Sequence, residues 1–97
     1  MISFVIYDDK EEILNRFEKV VINLMNKENQ EYRIEKFSKY TKKFESIISD
    51  NTKNKIYIMD IEIPGSISGI DVAKRIRRSD WDSSIILVTS YVEMGYE

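Results

Sequence analysis

Acidic or hydroxyl side chains follow three of the apolar runs in this chain. Asp8 and Asp9 follow ISFVIY, Asp60 follows IYIM, and Thr89 and Ser90 follow IILV. An isolated carboxylate at the end of a buried run is costly unless it is paired, neutralised or bound to metal. Carboxylates brought together repel one another unless a cation sits among them. The chain contains no histidine and no cysteine. That removes Ser-His and Cys-His catalysis, imidazole or thiolate zinc sites, and disulfides. A metal here must sit among oxygen ligands, which favours magnesium, calcium or manganese. Magnesium retains waters and phosphate oxygens in its octahedral shell. Asp60 is then a candidate nucleophile, since carboxylates form aspartyl phosphates by in-line attack on phosphorus. The hydroxyl of Thr89 could hydrogen-bond a phosphate oxygen.

These residues need elements that bring them together. Residues 2–7 suit a strand buried on both faces. Ile13, Leu14, Phe17, Val20, Val21, Leu24 and Met25 then recur at helical spacing. Asp9 followed by Glu12 resembles a capping box at this helix start. EYRIEKF, 31–37, alternates with Tyr32 and Ile34 on one face, which predicts a half-exposed edge strand. Tyr40, Phe44, Ile47 and Ile48 mark a shorter amphipathic helix, and 49–55 a surface loop. A third strand is predicted over 56–61, then a loop over 62–68 that carries the only proline. Residues 69–78 read as a helix with a basic C-terminal end, as the helix dipole favours. A fourth strand, 85–88, leads into Thr89 and Ser90, and 91–97 could begin another helix.

Alternation of strands and helices argues for a doubly wound α/β fold with a parallel sheet. In such sheets the ligand site lies beyond the carboxyl ends of the strands. Asp8, Asp9, Asp60, Thr89 and Ser90 all belong to that edge. The 97 residues suit one domain with one modest core, without repeats or linkers. With 15 basic against 17 acidic residues, the charge balance gives no sign of a nucleic-acid-binding surface. No apolar run approaches the roughly 20 residues that span a membrane, and residues 1–7, though apolar, lack a basic leader and a cleavage site, so a signal peptide is not expected. No membrane association is expected, and a cytoplasmic location is.

The chain resembles the receiver domain of a bacterial two-component response regulator. The resemblance covers essentially all of residues 1–97. It rests on YDD at 7–9, MDIEIPG at 59–65, Gly69 opening the third helix, and LVTS at 87–90. It implies a flavodoxin-like sheet of strand order 2-1-3-4. It also implies that Asp60 is the phosphoacceptor, with a sensor histidine kinase as phosphodonor. Asp9 would bind magnesium directly, and Asp8 would help, often through water. The backbone carbonyl of Glu62 would complete the protein ligands, beside Asp60 itself. Thr89 would be the switch hydroxyl, and Ser90 the small residue that leaves room for the phosphoryl group. Phosphorylation would switch dimerisation and, in the full protein, transcription.

Two departures from the family pattern stand out. Gly69 lies nine positions after Asp60, one more than the family's usual spacing, because the loop reads PGSISG. Regulators of the LytTR type, similar to the accessory-gene-regulator A group of quorum sensing, carry such a longer loop. The chain also stops before the family's fifth strand, its lysine and its last helix, and before the DNA-binding domain of LytTR regulators. An incomplete receiver is therefore expected, with an apolar fourth-strand edge that promotes self-association. DNA would be contacted only through that further domain.

Other roles compete for the same residues. A pseudo-receiver that is never phosphorylated would be an interaction module. A magnesium-dependent phosphohydrolase would also use an aspartyl phosphate, though such enzymes place the nucleophile on the first strand. Asp9 is also suited to capping the first helix, a role compatible with metal binding, and Ser90 to capping a following one. The Glu62 side chain is expected in solvent, and Arg75, Arg77 and Arg78 as a solvated helix end. Trp81 is expected to cover the edge of the core. Tyr91, Met94 and Tyr96 suit either a partner surface or half-buried packing.

Overall fold

A computed structural model of the chain describes residues 1–50, 54–65 and 67–89. Its elements are β1 (Ile2–Tyr7), α1 (Glu11–Met25), β2 (Tyr32–Phe37), α2 (Lys42–Ile48), β3 (Asn54–Asp60), α3 (Gly69–Ile76) and β4 (Ser84–Val88). The strands form one parallel sheet in the order β2-β1-β3-β4. This is the doubly wound α/β arrangement expected from the sequence. Ser90 and the 91–97 segment lie outside the described residues. Among the described residues no helix is long and apolar enough to cross a membrane.

Burial follows strand position. β1 lies between β2 and β3 and is covered on both faces, so Ser3 through Tyr7 are all buried. That is why its sequence is a nearly unbroken apolar run rather than an alternation. On one face Phe4 packs with Val21 and Met25 of α1, joined by Tyr32, Ile34, Ile56 and Ile58. On the other, Val5, Tyr7, Tyr57 and Met59 pack with Phe44 and Ile48 of α2 and Val72 and Ile76 of α3. Phe44 fills the centre of that layer, stacked on Phe37 at 4.8 Å between ring centroids. The edge strands are more polar or more open. β2 sends Lys36 to Glu18 of α1 at 2.7 Å and to Asn15 at 3.0 Å. On β4, Ile86 and Leu87 are exposed, as are Val20 and Leu24 on α1.

Three local expectations need correction. Lys10, not Asp9, occupies the N-cap of α1, and no side chain caps that helix. The capping box fails because Asp8 turns back on the chain instead: its Oδ1 accepts from the Lys10 amide at 2.9 Å. Trp81 does not cover the core edge; it is 79% exposed. Its neighbours Asp80 and Ser83 are buried instead. Of the arginines, Arg75 and Arg78 are exposed as expected, Arg75 also donating to the Tyr40 hydroxyl, while Arg77 is half-buried and donates to the Asp80 carbonyl.

Candidate functional site

The parallel register brings the predicted residues to one sheet edge. Tyr7 pairs with Met59, so Asp8 and Asp60 are the next residues on adjacent strands. Asp60 pairs with Val88, which places Thr89 one residue beyond Asp60 on β4. The Ile61 amide extends this ladder by donating to the Val88 carbonyl at 2.8 Å. On the other side the Asp8 amide donates to the Phe37 carbonyl of β2 at 3.1 Å. Each carboxylate thus stands on a strand end whose backbone is fixed by its neighbour.

Asp8, Asp9 and Asp60 form one cluster, each offering a carboxylate oxygen within 4.8 Å of the others. Asp8 and Asp60 are buried and Asp9 is exposed. Burial pushes the Asp8 carboxyl above its usual range, and the negative charges of Asp60 and Asp9 push the same way. The Lys10 amide and ammonium offset this only in part. Asp8 Oδ2 is buried without a hydrogen-bond partner among the described residues. An orphaned buried oxygen beside two more carboxylates fits a hard divalent cation of the magnesium class.

The β3–α3 loop is held against this cluster. The Glu62 amide donates to Asp60 Oδ1 at 3.3 Å, and the Glu62 side chain is exposed as expected. Tyr7, one residue before the acidic pair, donates its hydroxyl to the Ile67 carbonyl at 2.7 Å. Ser68 caps α3, its Oγ accepting from the Asp71 amide at 3.2 Å. Gly69 is buried against the backbone of Asp60. Thr89 is exposed and takes part in a polar interaction at the end of β4.

The sequence reading missed Tyr7 and Ser68. Ser68 followed by Asp71 is a legible N-cap signal, which the emphasis on Gly69 obscured. Tyr7 carried no local signal, because its hydroxyl finds a partner 60 positions away.

One comparison identifies relatives at the level of a family. The model of the response regulator receiver domain matches residues 4–96. A search of curated proteins finds no match.

Proposed function

The chain belongs to the response regulator receiver domain family, and on that premise we propose that Asp60 accepts a phosphoryl group from a sensor histidine kinase. The observation that carries this reading is the acidic cluster: Asp8, Asp9 and Asp60 within 4.8 Å, with one Asp8 oxygen buried and unsatisfied. A carboxylate oxygen of Asp60 attacks phosphorus, the bond from phosphorus to the donor imidazole breaks, and the nitrogen leaves with the electron pair. Asp8, Asp9, Asp60 and the backbone carbonyl of Glu62 would hold magnesium, which when bound neutralises charge on the phosphoryl oxygens.

Thr89 is the proposed switch hydroxyl. Its place one residue past the partner of Asp60 lets it report on a phosphoryl group there. A hydrogen bond from Thr89 to that group would bias the β4 end between two states and change self-association. The exposed apolar residues Ile86 and Leu87 support a role for β4 in that contact. The nine-residue step from Asp60 to Gly69 supports assignment to the LytTR type. In such a regulator, DNA contact belongs to a domain other than residues 1–97. The expected setting is the cytoplasm, where the kinase domain lies.

The test is incubation with a small phosphodonor and magnesium, followed by intact mass. One phosphoryl adduct is expected on the wild-type chain and none on Asp60→Asn. An adduct that survives in Asp60→Asn would assign the chemistry elsewhere. Continuous phosphate release from an ester would favour a phosphohydrolase instead.

A further inference from the structure

A cavity of about 200 Å³ lies at the opposite end of the sheet from the acidic cluster, where the strands begin. Its floor is one row of the parallel sheet. Ser3 of β1 pairs with Arg33 of β2 on one side and with Lys55 of β3 on the other, so the three side chains leave the same face in a line. The next rows on that face carry Val5 with Tyr57 and Tyr7 with Met59, and belong to the apolar layer under α2 and α3. Lys43 and Ser46 of α2 stand over the polar row. The small side chain of Ser3, on the central strand, leaves space that a branched apolar residue would fill.

The cavity is rich in donors. Ser3 is 6% exposed, yet its hydroxyl makes no hydrogen bond among the described residues. A buried hydroxyl left in that state is costly and calls for a partner. Arg33 and Lys43 lie 3.6 and 4.0 Å from one oxygen of Glu35. Those are ion-pair distances, too long for hydrogen bonds, so the guanidinium and the ammonium keep their donors. Lys55, also buried, donates to the carbonyls of Ile47 and Asp50, and its charge offsets the negative end of the α2 dipole. The cations Arg33, Lys43 and Lys55 thus outnumber the carboxylates Glu35 and Asp50 around the space. Its volume is below the usual range for drug-sized ligands and suits an ion or a small group.

We propose that this cavity binds a small oxyanion of the phosphate class, with the Ser3 hydroxyl, the Arg33 guanidinium and the Lys43 ammonium donating to its oxygens. The planar guanidinium matches a pair of phosphate oxygens, and the lysine acts as a point charge. Glu35 is the opposing group: it shares Arg33 and Lys43 with the ion and keeps the affinity low. The site does not depend on the phosphoacceptor reading, since Lys55 lies near the start of β3 and Asp60 at its end.

The test is titration of the chain with inorganic phosphate, without magnesium and at ionic strength held constant with chloride, followed by amide NMR shifts. Saturating shifts are expected at Ser3, Arg33 and Lys43. Ser3→Val removes the hydroxyl and fills the space while keeping strand preference, and should abolish them. Arg33→Gln, at an exposed position, should weaken binding about fivefold, and Glu35→Gln should tighten it by about as much. Ethyl phosphate in the same titration separates two sources of the oxyanion. Tighter binding than inorganic phosphate assigns the site to a phosphate group carried on a small molecule, and weaker binding to the free ion. Shifts that grow without saturation overturn the proposal, as does binding that survives in both Ser3→Val and Arg33→Gln. Loss of binding in Asp60→Asn would place the ion at the other end of the sheet and overturn it equally.

Discussion

Gly69 packs directly on the backbone of Asp60. A Cβ at Gly69 would lie 2.0 Å from the Asp60 carbonyl oxygen and 3.2 Å from Met59 Cβ. The glycine is needed for this approach, which lets the start of α3 close over the end of β3. Its helical backbone does not require glycine.

Gly69→Ala therefore sets two effects against each other. Alanine improves helix propensity by about 1 kcal/mol. The clash is with backbone, which cannot turn aside, so α3 or the strand end must move, at about 2–4 kcal/mol. The clash should win, giving a net loss of about 1–3 kcal/mol in urea unfolding. Phosphorylation of Asp60 should slow as well, since the same shift displaces its carboxylate. Unchanged stability would mean that the two elements separate at little cost.

Asp8→Asn should reverse its effect on stability according to metal. Without divalent ions the wild-type chain keeps a buried carboxylate against Asp60 and Asp9, with Oδ2 unsatisfied. Removing that charge should stabilise the chelated protein by roughly 1 kcal/mol. Magnesium at a hundred times its dissociation constant should add about 2.7 kcal/mol to the wild type and much less to the variant. Thermal unfolding in chelator and in magnesium checks both halves. A variant less stable than wild type in chelator would mark Asp8 as a structural residue.

The sheet edge was legible because it depends on short-range facts. Apolar runs predict strands, alternation of elements predicts a parallel sheet, and the polar residue after each run must then lie at one edge. Asp8, Asp9 and Asp60 meet for that reason. Features that depend on distant partners were not legible. Lys55 reads as a loop lysine, yet it is buried in β3 and donates to the carbonyls of Ile47 and Asp50. It thereby satisfies backbone acceptors at the C-terminal end of α2, where a positive charge also suits the dipole. Trp81 reads as a core cover, yet the turn it belongs to is held by Asp80, which bonds to Asp82 and Ser83, and the indole stays exposed. The capping-box spacing at Asp9 lost to the Asp8 turn because a strand end and a helix start compete for the same few residues.

Asp80 should make stability depend on pH in the acidic range. It is buried after α3, where its Oδ1 accepts from the amides of Asp82 and Ser83, both at 3.0 Å, and its Oδ2 from the Ser83 hydroxyl. Burial alone would raise its carboxyl, but the Ser83 hydroxyl and amide, the Asp82 amide and the charge of Lys55 hold it below the usual range. A carboxyl whose folded value lies below its unfolded value stabilises the fold above the unfolded value, about pH 4. That contribution is lost as pH falls through the lower, folded value. Asp80→Asn should therefore be less stable than wild type by about 1–3 kcal/mol at neutral pH, because an amide cannot accept all three bonds. The gap should narrow as pH falls from about 4, where the unfolded chain takes up the proton, through the lower value of folded Asp80. Urea midpoints of both proteins across the acidic range measure the gap directly. A gap that stays constant down to the lowest pH would show that the loss comes from packing at the turn and not from the charge on Asp80.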